Sequence, residues 1–135
     1  AFSSLTIELL GKLLGAADLL AQMADRTYLE KLLLLYYEFK EAGVGGYKSH
    51  ADILKKTVGF YDFIAERFET ALDSTDKFMI FHFISRWGIH ENLYHTAIEN
   101  QKNYLQQILN KADSNPLKHL KRYGIVKTGP EKQNI

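Results

Sequence analysis

Apolar residues fall on every side of a helix at the start of this chain: Leu5, Ile7, Leu9, Leu10, Leu13, Leu14, Leu19, Leu20 and Met23. A helix apolar all round belongs inside a core and not on its surface. Ser3 or Ser4 supplies an N-cap, and the pattern runs to about Ala24. Thr27 and Glu30 then form a T-x-x-E capping box, which starts a second helix that runs to about Ala42 and stops at Gly43, Gly45 and Gly46. Its run Leu32-Leu33-Leu34-Leu35-Tyr36-Tyr37 is too apolar to face water and is expected in the core or against a neighbouring subunit.

Ser49 and Asp52 mark a third, short helix, and Gly59 is expected to break or bend the chain before a segment from Phe60 to Leu72. A fourth helix spans about Asp76 to Trp87 and ends at Gly88, and a fifth spans about Glu91 to Ala112. Asn115-Pro116 places a cap before a proline at the first helical position, opening a last short helix that Gly124 closes. Alternating strand patterns and internal repeats are absent from the sequence. The pattern predicts an all-α, compact domain of about five to six helices, with residues 1–112 as the helical body and 113–135 as a short helix and basic tail.

Composition bounds the partners. Hydrophobic residues make up 46% and charged residues 24%, a globular balance with a formal net charge of +1. That charge gives no general reason to expect nucleic acid or an anionic membrane surface. The basic residues of 116–135, Lys118, Lys121, Arg122, Lys127 and Lys132 against Glu131, read as a solvated tail. Lys12, Asp18 and Glu38 interrupt the apolar stretches before any reaches the roughly 18–20 residues of a membrane span. The absence of cysteine removes thiolate metal sites and thiol nucleophiles, and agrees with a cytoplasmic location. Ala1 in place of Met is read as a sign of processing, proteolysis or truncation.

Candidate chemistry centres on Asp18. Between Leu9 and Ala24 the only charges are Lys12 and Asp18. Lysine can extend its stem to water, whereas a buried aspartate needs a cation or hydrogen-bond donors. Gly11, Gly15, Asp18, Gln22 and Asp25 follow steps of four, three, four and three along one side of the helix. The small residues admit a close partner, and the polar end suits a metal or a buried cation. Pairing with Arg26 or a neighbouring helix is the structural alternative.

Other clusters are weaker. Glu91 and His95, four apart, could project to one side beside His90. Lys55, Lys56 and Thr57 precede Gly59, where a phosphate contact competes with an ordinary solvated helix end. The aromatic run Phe78, Phe81, His82, Phe83 and Trp87 reads as core or subunit interface, with no basic strip to support base stacking.

The run Gly15-Ala16-Ala17-Asp18-Leu19-Leu20-Ala21-Gln22-Met23-Ala24-Asp25-Arg26-Thr27-Tyr28-Leu29-Glu30-Lys31-Leu32 resembles the later part of a group of bacterial HD-domain metal-dependent phosphohydrolases. Lys56-Thr57-Val58-Gly59-Phe60-Tyr61 and Arg86-Trp87-Gly88-Ile89 are similar to the same group. In those enzymes the metal ligands come in order as a His, a His-Asp dipeptide and a final Asp on a later helix. The resemblance implies that Asp18 is that final ligand, with Gln22, Asp25 and Arg26 as surrounding or substrate-contact residues. It also implies a divalent metal and a phosphorylated small molecule or nucleotide as substrate in the intact enzyme.

The order of the residues departs from the family. His50, His82, His90, His95 and His119 all follow Asp18, and none precedes an Asp. One carboxylate does not hold a catalytic metal alone. The expectation is therefore a C-terminal fragment, inactive and without metal by itself. The alternative is a non-catalytic helical interaction or dimerisation module, for which a homo-oligomer is the natural form.

Overall fold

A computed structural model describes residues 4–111 and 115–120. The chain is all-α, and its described residues form five α-helices: α1 (Leu5–Met23), α2 (Tyr28–Glu41), α3 (His50–Glu69), α4 (Ile80–Trp87) and α5 (Leu93–Leu109). Two 3-10 segments, Thr75–Met79 and Pro116–His119, complete the order. No strand occurs among the described residues. Lys121–Ile135, and with it most of the basic tail and Gly124, lies outside them.

Capping explains several boundaries. Ser4 is the α1 cap, its Oγ accepting a hydrogen bond from the Ile7 amide at 3.2 Å. Thr27 stands at the α2 cap position without making a side-chain cap bond, so its half of the expected capping box is missing. α2 ends where Gly43 turns to φ +70°, and α4 ends where Gly88 takes φ +63°, both left-handed positions that suit glycine. Ser49 Oγ accepts from the Asp52 amide at 3.2 Å at the start of α3. Asn115 Oδ1 accepts from Leu117 N at 3.1 Å, as expected of an Asn-Pro start.

Three boundaries differ from expectation. Gly59 neither breaks nor bends the chain into two helices, because α3 runs unbroken over 20 residues. One glycine costs a helix about 1 kcal/mol, less than the buried stripe Ile53, Leu54, Tyr61, Ile64 and Phe68 returns. The fourth helix opens as a 3-10 turn before becoming α-helical at Ile80. α5 starts at Leu93, so Glu91 lies ahead of it.

The chain divides into two units. The first comprises residues 1–25 and 61–100 and buries Ala16, Leu20, Met23, Ile64, Phe68, Leu72, Phe83 and Ile98. The second comprises residues 26–60 and 101–135, and its described part buries Leu29, Leu32, Leu33, Ile53, Leu54, Leu105, Ile108 and Leu120. α3 and α5 each contribute residues to both.

Within the first unit, α1 is held against the turn after α3. Lys12 Nζ bonds Glu8 at 2.5 Å and also reaches Asp73, which raises the lysine pKa above its ordinary value, the Asp73 bond contributing most. Lys12 therefore bridges two carboxylates instead of extending alone into water. Asp73 and Ser74 both have positive φ and form the reversal that brings Thr75 Oγ1 to 3.3 Å from the Lys12 carbonyl. The missing side chain of Gly15 makes room for Leu72, whose Cδ2 would lie 3.2 Å from a Cβ there. The small residue thus admits a side chain, not a second backbone.

Candidate functional site

α1 is not enclosed. Ala16, Leu20 and Met23 form its buried stripe at steps of four and three. On the opposite side Ile7, Leu10, Leu14, Ala17 and Ala21 follow steps of three and four, and every one is exposed. Leu10 keeps 59% and Leu14 73% of its surface open. The expectation that an all-apolar helix is buried is corrected here: one face is covered and the other is not.

Asp18 lies on the open face, one turn beyond Leu14, and is itself exposed. Its carboxylate oxygens each stand 3.5 Å from Gln22 Nε2, a weak contact at the limit of a hydrogen bond. The burial cost argued from sequence is therefore absent in this chain. Gln22 is exposed beside it, as expected from the four-residue step. Asp25 is half-buried just past the end of α1, and Arg26 is exposed in the turn that follows.

Asp25 lines an open cleft of about 370 Å³ with Ala21, Ala24, Phe83, Leu93, Tyr94 and Ala97. The cleft begins at Ala21, three residues beyond Asp18 and on the same face of α1. Its walls are apolar and aromatic, the Phe83 and Tyr94 rings meeting at 5.0 Å and 61°. Among the described lining residues Asp25 is the single charged group.

The aromatic run separates into two environments. Phe83 is buried, and His82 packs edge-on against Phe83 and Trp87 with centroids at 5.1 and 5.5 Å. Phe78, Phe81 and Trp87 are exposed, so of the two places expected for the run, core or subunit interface, these three are not in the core.

His95 and Glu91 do not converge. Glu91 accepts a hydrogen bond from Thr96 Oγ1 at 2.5 Å, while His95 Nε2 lies 2.6 Å from Asp76 Oδ2. Asp76 is buried, and its Oδ1 has no hydrogen-bond partner. Asn92 Nδ2 donates to the Asp76 carbonyl at 3.1 Å. This pair was not legible in sequence, since nineteen residues separate its members. Among the described residues no three His, Asp or Glu side chains are grouped as a metal would need.

Lys56 and Thr57 sit in the second unit. Thr57 is buried and donates its hydroxyl to the Ile53 carbonyl at 2.8 Å. Lys56 donates to the Gly46 carbonyl, lies 3.3 Å from Asp52 Oδ2, and stands 5.1 Å from the Tyr47 ring centroid. Lys55 is exposed on the same helix.

The profile of the Npun_R2479-like family matches residues 6–79. The chain belongs to the Npun_R2479-like family. The matched stretch exceeds half of the chain and runs from α1 through the 3-10 turn, so it contains Asp18, Gln22, Asp25, Arg26, Lys56 and Asp76. His82, His90 and His95 lie beyond it. No curated protein matches the chain, and no solved structure matches it.

Proposed function

We propose that this Npun_R2479-like chain is the C-terminal helical part of an HD-type metal-dependent phosphohydrolase, inactive alone, with Asp18 as the last metal ligand. The observation that carries the reading is the place of Asp18 at the polar end of an apolar helix face that nothing in the described structure covers. In the intact enzyme a helical segment from outside the described residues packs along Ile7, Leu10 and Leu14. It brings a His and a His-Asp pair to the exposed carboxylate. Burial of that face then makes a divalent cation the natural partner of Asp18.

Such a metal, if bound with Asp18 among its ligands, would supply Lewis acidity and activate water for attack on phosphorus. This chain's own residues do the positioning. Gln22, one turn beyond Asp18 and 3.5 Å from both its oxygens, is the side chain placed to tighten on the carboxylate once that face is covered. Asp25 and the rings of Phe83 and Tyr94 line the adjoining cleft, whose size and apolar walls suit the base and sugar of a nucleotide. Asp25 accepts hydrogen bonds there from a hydroxyl or amine. A cytoplasmic setting belongs to the same reading, in keeping with a chain that lacks cysteine. No helix of the described residues is long and apolar enough to cross a membrane.

The test is to extend the expressed chain upstream in its reading frame and measure bound metal and phosphomonoester hydrolysis, with and without Asp18→Ala. Metal and turnover in the longer protein, both lost in the variant, are expected. An upstream frame without a His and a His-Asp pair sinks the proposal, as does Asp18-dependent turnover by the 135-residue chain alone.

The exposure of Leu5, Leu10, Leu14, Phe78, Phe81 and Trp87 favours a second reading, a non-catalytic helical module that associates with itself or a partner. Sedimentation of the 135-residue chain separates the two. Concentration-dependent dimerisation abolished by Leu10→Gln and Leu14→Gln, with no upstream ligands, selects the module.

A further inference from the structure

The second unit contains a pocket between α2 and α3 that the phosphohydrolase reading does not use. It encloses about 170 Å³ and is walled mainly by Leu32, Leu35, Ile53, Phe60 and the stacked pair Phe39 and Tyr47. The last two rings lie at 5.4 Å and 16°, which gives the pocket one flat side. A cavity of about 150 Å³ with apolar walls accepts a benzene-sized ring, so the space fits a single ring and not a fused system.

The polar groups of the pocket are few and differ in availability. The Thr57 hydroxyl is committed to the Ile53 carbonyl. Among the described lining residues Lys56 is the only cation. Its contact with Asp52 is long at 3.3 Å, and Asp52 has a stronger bond of its own from the Lys48 amide at 2.9 Å. Asp52 therefore does not depend on Lys56, and the ammonium, which donates one proton to the Gly46 carbonyl, has three protons, so it can accommodate a second carboxylate without giving up that bond. A phosphate would carry more charge than this one shared cation balances. Tyr28 also lines the pocket, and burial, with a smaller effect from Tyr47, pushes its phenol up to about 12, so it stays a neutral hydrogen-bond donor near pH 7.

We propose that this pocket binds a single-ring aromatic carboxylate, the ring lying among Leu32, Leu35, Ile53 and Phe60 and the carboxylate at Lys56. The apolar wall supplies most of the binding and the lysine supplies selectivity for the anion. The lining residues all belong to this chain and do not include Asp18.

Titration of the isotopically labelled 135-residue protein with benzoate, followed by amide shifts, tests the assignment. Saturable shifts at Leu32, Leu35, Tyr47 and Lys56 are expected, with Kd on the order of 1 mM for a ligand this small. Lys56→Gln weakens benzoate about five-fold, the size of one screened ion pair, and leaves toluene binding unchanged. Leu35→Trp, which fills the pocket, abolishes both. The proposal is overturned if benzoate gives no saturable shifts at these residues. It is equally overturned if Lys56→Gln binds benzoate as the parent does, or weakens benzoate and toluene alike.

Discussion

Asp76 Oδ2 and His95 Nε2, 2.6 Å apart, join the 3-10 turn after α3 to α5 across nineteen residues of chain. The two partners are unequal: the Asp76 side chain is 7% exposed and that of His95 is 41% exposed. With Asp76 ionised, Nε2 is the donor.

That inequality sets the order of two substitutions. Asp76→Ala removes the buried charge and leaves an imidazole that water can reach, so it costs about 1–2 kcal/mol. His95→Ala strands a buried carboxylate whose other oxygen already lacks a partner, and costs about 3 kcal/mol. Urea unfolding of both variants checks the order. The double variant should lose less than the sum of the single losses, because the two side chains act as one contact.

Gly59 offers the opposite kind of test. It lies exposed inside α3, and a Cβ built there meets nothing within 4 Å. Gly59→Ala should therefore stabilise the protein by about 0.5–1 kcal/mol, through helix propensity and a less flexible unfolded chain. Gly88→Ala should do the reverse, losing about 1 kcal/mol, because its φ of +63° is left-handed. A thermal melt of each resolves both signs.

Helix identity was legible because the caps and stops are local: Ser4, Gly43, Gly88 and Asn115-Pro116 each act within one turn. Gly59 misled for the same reason. Its local penalty is real, but the apolar positions on either side keep one continuous stripe. The site was less legible. Spacing correctly gathered Asp18 and Gln22 on one side of α1, yet no pattern within a helix states which of its faces the rest of the chain covers. The open face of α1 and the pairing of His95 with Asp76 depend on residues far away in sequence. Hydrophobic periodicity carries no record of them.

Tyr28 should make the stability pH-dependent in alkali. Its phenol is raised from 10.0 to about 12 by burial first and by Tyr47 second. The folded state thus favours the neutral form. This contribution is complete below about pH 10 and is lost as pH rises from 10 through 12. The shift sets a ceiling of about 3 kcal/mol, and partial solvent screening reduces it to at most about 2 kcal/mol. Denaturation between pH 9 and 12 should show a shallower decline for Tyr28→Phe than for the parent. Equal slopes would remove Tyr28 as the cause.

Asp18 gives the last prediction, which depends on its exposure. A carboxylate buried in an apolar helix would be tied to its donors, and its removal would cost several kcal/mol. Here it is exposed, and Gln22 at 3.5 Å is a weak partner that water replaces. Alanine also has the higher helix propensity, by about 0.5 kcal/mol. Asp18→Ala in the 135-residue chain should therefore change the unfolding free energy by no more than about 0.5 kcal/mol, and in the stabilising direction. Asp18→Leu should extend the apolar face of Leu10 and Leu14 and lower solubility without loss of folding. A loss above about 2 kcal/mol in urea unfolding of Asp18→Ala would mean that the carboxylate is already engaged within this chain. In that case it would not be free to receive a metal from outside it.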